Sequence, residues 1–171
     1  MLYRIWQSWK NLTGNPHPRD LAEAGNLLTP AELRLFQALA PADQAHSLRV
    51  FRQLKEEGER HPALLKAALL HDVGKAGTDL SLWERTGAVL VQALSSTAGD
   101  LADSRDSRGW RRGVHVARSH PLWGADSASQ VGAGELTVWL IKHHQDDPGE
   151  LEASLERLQL LKKLIRADNQ N

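Results

Sequence analysis

The chain has 171 residues, no cysteine, and 21 Lys and Arg against 21 Asp and Glu, a formal net charge of zero. That length suits one domain able to bury about 70% of its unfolded surface without cross-links. The absence of cysteine excludes disulfides, thiolate zinc sites and a cysteine nucleophile, and the balanced charge argues against a protein devoted to coating nucleic acid, though not against a small phosphorylated substrate.

In chain order, MLYRIWQSWKNL is too short and too interrupted for a secretory or membrane-spanning segment, so the cytoplasm is the expected compartment. Leu2, Ile5, Trp6, Trp9 and Leu12 recur at helical spacing. This Trp-rich face offers a docking surface on the domain or on a partner, including a second copy of the chain. Residues 1–28 read as this helix and a linker, and residues 29–171 as the domain. Thr29-Pro30-Ala31-Glu32 has the form of a capping box, with Leu33, Phe36 and Leu39 forming one apolar face behind it. The next helix begins near Asp43, carries Leu48, Phe51 and Leu54, and stops at Gly58. Pro62 opens a third helix, PALLKAALLHDVG, which is read as running to Gly74. Residues 95–113 are polar, glycine-rich and aperiodic, and read as a loop. Helices over 121–131 and 134–145 and a final one in ELEASLERLQLLKKLIRADNQN complete the chain. No segment alternates with period 2. The expected fold is all-α, a single-domain helical bundle.

Such a bundle has unusual polar residues at its helix ends. Of the eight histidines, His46, His71, His120, His143 and His144 lie within or at the ends of predicted helices, beside apolar residues. Imidazole is a common metal ligand because it is neutral and a good donor near pH 7. His71-Asp72 and His143-His144 are tight pairs at helix ends, where neighbouring side chains can approach one point from different sides.

His46, His71-Asp72 in HDVGK, His120 in HPLWGA, His143-His144 and Asp168 in RADNQN together resemble the HD superfamily of metal-dependent phosphohydrolases. The likeness covers about residues 43–169 and implies an HD-type helical bundle. By that resemblance, His46, His71, Asp72 and Asp168 hold a first divalent ion. Asp72 bridges to a second ion, with His120 and His143 as its other ligands. His144 serves a third metal or the substrate, and Lys75 stabilises phosphate charge. A pair of ions about 3.5–4 Å apart polarises a phosphoryl oxygen and lowers the pKa of a water between them. The expected cofactors are two divalent ions, with Mn, Fe, Mg, Co, Ni and Zn all compatible with these ligands. The expected partner is a small phosphate ester, a nucleotide among the candidates.

The HD-GYP branch is matched only in part. Gln145 follows the His pair, no Gly-Tyr-Pro segment is present, and the only tyrosine is Tyr3, which weakens what the likeness implies about cyclic-di-GMP. Ala42 stands where some trinuclear relatives carry a carboxylate, favouring two metals over three. Arg105, Arg108, Arg111, Arg112 and Arg118 precede His120 and suit phosphate oxygens, Arg118 and Arg111 being the named candidates and Trp110 a stacking surface for a base. Two other readings share the ligand pattern: a di-iron oxygenase, and a non-catalytic binding or regulatory module.

Overall fold

The computed structural model describes residues 18–78 and 110–171. The Trp-rich segment, Arg105 and Arg108 lie outside them, as do the side chains of Trp110 and Arg111. The described elements are α1 (Pro18–Leu27), α2 (Pro30–Gln37), α3 (Pro41–Glu56), α4 (Pro62–Leu70), a 3-10 turn (Val73–Lys75), α5 (Trp110–Gln130), α6 (Glu135–His143) and α7 (Leu155–Gln170). No strand occurs among the described residues, and the all-α expectation holds. The chain divides into two compact units. One comprises residues 1–76 and 121–171, the other residues 77–120.

The first unit is organised around α4, which contacts α1, α2, α3, α6 and α7. Leu64, Leu65, Ala67, Ala68, Leu69 and Leu70 of α4 are all buried. A helix apolar on every side is stable only when other elements cover it, and the amphipathic helices around it present matching stripes. These are Leu48, Val50, Phe51 and Leu54 on α3, Leu140 and Ile141 on α6, and Leu160, Leu161 and Leu164 on α7. The stretch before Thr29, read as helix and linker, is in its described part the helix α1, with Ala24 and Leu28 buried in the same core.

The capping box at Thr29 is formed as read. The Thr29 amide donates to Glu32 Oε2 at 2.7 Å, and the Glu32 amide donates to Thr29 Oγ1 at 3.3 Å. Glu32 is 1% exposed and also accepts from Lys66 Nζ on α4 at 2.7 and 3.0 Å, tying the α2 entrance to the central helix. Burial alone would raise the Glu32 carboxyl pKa, but Lys66 and Thr29 outweigh it and hold the group below its ordinary 4.5. A depressed carboxylate contributes stability that is fully present above its unfolded pKa and is lost as pH falls through the folded one. Glu32→Ala is therefore expected to cost about 2–3 kcal/mol near pH 7, through the lost cap and the stranded Lys66. The deficit should shrink below pH 4.5. Urea unfolding at pH 7 and pH 3 measures both.

Two boundaries differ from the sequence reading. The third helix ends its α-form at Leu70 rather than at Gly74, and His71 is its C-cap. Asp72 has φ −96° and ψ 1°, in the sparsely occupied bridge region, and the chain then passes into the 3-10 turn. The helix expected to begin at Pro121 begins at Trp110, so residues 110–113 are helical rather than loop. Burial of Val114, Val116 and His120 outweighs the helix-weakening glycines there, and the arginines are good helix formers. Pro121 sits inside this helix and removes one donor from its ladder.

The described part of the second unit is small. Gly77 turns at φ +71°, and the Arg112 guanidinium donates to the Thr78 carbonyl.

Candidate metal centre

The centre is assembled where α3, the end of α4 and α7 converge. His46 comes from α3, His71 and Asp72 from the turn ending α4, and Asp168 from the last turn of α7. His46 Nε2 lies 2.8 Å from Asp168 Oδ1. His71 Nε2 lies 3.5 Å from the same Asp168 oxygen and 3.6 Å from Asp72 Oδ2. The ligand atoms of His46, His71 and Asp72 all fall within 4.8 Å of one another.

His71 provides the test of whether this set fits a metal. Its Nδ1 donates to the Ala68 carbonyl at 3.0 Å, which fixes the ring and leaves Nε2 as the nitrogen that can exchange a proton for a metal. That Nε2 is fully buried and has no hydrogen-bond partner. A buried, unsatisfied nitrogen is costly unless something coordinates it. Two donors each about 2.1 Å from one ion stand about 3.0–3.5 Å apart, close to the spacings seen here. The residues fit a divalent cation.

The electrostatics agree. Burial alone would lower the His71 pKa, but the carboxylates of Asp72 and Asp168 outweigh it and raise it from 6.5 to about 9. For Asp168, burial is outweighed by His71 and His46, and the carboxyl is held well below the usual range. The pocket favours a cation, whether proton or metal. A raised histidine contributes stability that is present below pH 6.5 and lost as pH rises through about 9, so the apoprotein should soften over that interval. Because a bound ion displaces this proton, apparent metal affinity is expected to rise about tenfold per pH unit up to about pH 9, then level. Calorimetry at pH 7.5 in buffers of different ionisation enthalpy should read about one proton released from His71. No proton release would contradict the cation preference.

Lys75 Nζ is 2.7 Å from Asp72 Oδ1, so the two oxygens of Asp72 face different partners. Burial would lower the Lys75 pKa, but Asp72, Asp43 and Asp168 raise it and keep the ammonium charged. Asp43 was not singled out in the sequence. It is 8% exposed, three residues before His46 on α3, and that spacing on a ligand-bearing helix was the available signal.

The paired histidines diverge. His144 is buried, its Nδ1 donating to the Ile141 carbonyl at 2.7 Å and its ring 5.1 Å from that of His71. His143, expected as the second-ion ligand, has Nδ1 2.6 Å from Asp146 Oδ2, which leaves its Nε2 as the nitrogen for coordination, and its ring 4.8 Å from Trp139. At the end of α6, the residue facing inward is the second of the pair. His120 closes the second unit, fully buried, with Nδ1 bonded to the Val116 carbonyl at 3.1 Å. Arg118 is exposed. No described helix is long and apolar enough to cross a membrane.

In comparisons with known proteins, the profile of the HD domain matches residues 44–169. Three multifunctional CCA proteins of Legionella pneumophila, from strains Lens, Philadelphia 1 and Paris, are each 29% identical over 136 residues, covering 68% of this chain and 32% of theirs. The chain thus spans about a third of the length of these relatives. No solved structure gives a significant match.

Proposed function

Because this chain belongs to the HD domain family, we propose that it is a metal-dependent phosphohydrolase, cleaving a phosphate ester of a nucleotide or other small molecule. The observation that carries this is the buried, unpartnered Nε2 of His71, facing two carboxylates in a pocket that favours a cation. His46, His71, Asp72 and Asp168 would hold the ion. His144 is assigned as a further ligand because it is buried and its ring meets that of His71. In the second unit, the Nδ1 of His120 is likewise committed to a carbonyl, which would direct any coordination by this ring to Nε2.

A divalent ion bound here would supply Lewis-acid polarisation of a phosphoryl oxygen and a lowered pKa for an attacking water. The chain's residues supply the remainder. The Lys75 ammonium, kept charged by Asp72, Asp43 and Asp168, can meet the negative charge that grows on the phosphoryl oxygens. The carbonyls of Ala68 and Ile141 fix the His71 and His144 rings before substrate arrives.

The test is a panel of p-nitrophenyl phosphate, bis-p-nitrophenyl phosphate and nucleotides, assayed with protein loaded with Mn, Co, Ni, Zn, Mg or Fe in turn. Metal-dependent phosphate release supports the reading. Inertness across the panel, or iron-dependent oxygen consumption without hydrolysis, would overturn it.

A further inference from the structure

Arg49 stands apart from the other half-buried cations. Among the described residues Lys55 pairs with Glu23, Lys66 with Glu32, Arg157 with Glu135 and Lys163 with Glu59. Among the described residues Arg49 pairs with no carboxylate, and its Nε is buried without a hydrogen bond. Its pKa is lowered by burial alone, with no neighbouring charge offsetting the lost hydration. An arrangement of this kind is unfavourable in the isolated protein, because a desolvated guanidinium is costly unless an anion meets it.

Its position on α3 says which anion. Arg49 lies one turn beyond His46, and side chains three apart on a helix are neighbours. Long helical side chains lean toward the helix N-terminus, which carries the Arg49 stem back toward the His46 turn. Farther along α3, Gln53 is hydrogen-bonded to Gln170 of α7 and to its C-cap Asn171. The carboxylate at this junction, Asp168, is engaged by His46. Arg49 is half-exposed, so a solute can reach it.

We infer that Arg49 binds the phosphate of the substrate, its guanidinium fork taking phosphoryl oxygens beside the metal-ligand cluster. This rests on the phosphohydrolase reading and adds to it a recognition residue on α3, separate from Lys75. A planar fork suits two oxygens of one phosphate, whereas an ammonium offers a point charge.

The experiment uses orthophosphate as the probe on the metal-loaded full chain, with wild type, Arg49→Met and Arg49→Lys compared by calorimetry. Metal content, melting temperature, and KM and kcat on the best ester of the panel are read in parallel. Loss of one charge-assisted contact predicts phosphate affinity about 10- to 100-fold weaker in Arg49→Met, partly restored in Arg49→Lys. Metal content should be unchanged, and the melting temperature equal or higher, since an unpaired desolvated charge has been removed. Wild-type phosphate affinity in Arg49→Met would overturn the inference while leaving the hydrolase reading intact. So would a drop in melting temperature with loss of metal, which would mark a structural residue. If the wild type neither bound orthophosphate nor hydrolysed any ester, the hydrolase reading itself would fall.

Discussion

Asp72→Ala is expected to abolish metal binding and to lower hydrolysis by at least about a thousandfold, the several kcal/mol that metal-assisted charge stabilisation supplies. Asp72 is 2% exposed and serves two partners, with Oδ2 toward His71 Nε2 and Oδ1 on Lys75 Nζ. Its carboxylate is also the leading cause of the raised His71 pKa, so its loss makes the pocket less attractive to any cation. The change removes charge rather than apolar volume, and the helices around α4 should persist. Circular dichroism would verify this, and elemental analysis would read the lost metal. Asp72→Asn keeps the shape and should behave like the alanine variant in metal content. His61→Ala, at the opposite end of α4, is the control and should retain wild-type metal content and rate. Wild-type metal content or turnover in either Asp72 variant would refute the assignment.

The second large effect concerns a residue with no side chain. A Cβ on Gly124 would stand 3.2 Å from the Gly74 amide nitrogen, 3.3 Å from Ile141 Cγ2 and 3.5 Å from Val73 Cγ2. Only glycine lets this stretch of helix approach the turn that carries Asp72 so closely. Alanine would force a shift of a few tenths of an ångström against backbone. Valine adds methyls with no room and should cost about 2–3 kcal/mol, lowering the melting temperature by roughly 5–10 °C. Gly74 is two residues from Asp72, so the displaced turn should also weaken metal binding about tenfold or more, an effect a distant packing defect would not produce. Calorimetric melting with metal titration of Gly124→Ala and Gly124→Val checks both. Unchanged melting and affinity in the valine variant would show that the contact is not tight.

The capping box was legible because Thr29 and Glu32 bond within four consecutive residues, so local spacing suffices to identify it. The α4 helix was legible because its apolar run has a length and composition suited to burial. The all-α class and the family likeness came from the same kind of local string, HDVGK and HPLWGA among them. The end of α4 at Leu70 was not legible, since Asp72 leaves the helix through a backbone conformation that composition does not encode. The start of α5 at Trp110 was obscured by the polar, glycine-containing stretch around it, whose weak glycine propensity is overridden by burial of Val114 and Val116.

The sequence by itself determined that this is a helical protein with histidine and aspartate pairs at helix ends, because spacing, caps and apolar periodicity are properties of neighbouring residues. Which of those pairs meet was decided only in three dimensions. Asp168 lies 122 residues from His46, and their 2.8 Å contact depends on α3 and α7 both packing on α4. The turn after α6 directs His144 toward His71 and leaves His143 to Asp146, although the two are adjacent and chemically identical. Adjacent residues on a helix differ in direction by about 100°, so whichever one faces the core is fixed by how the helix packs, and no local pattern carries that rotation.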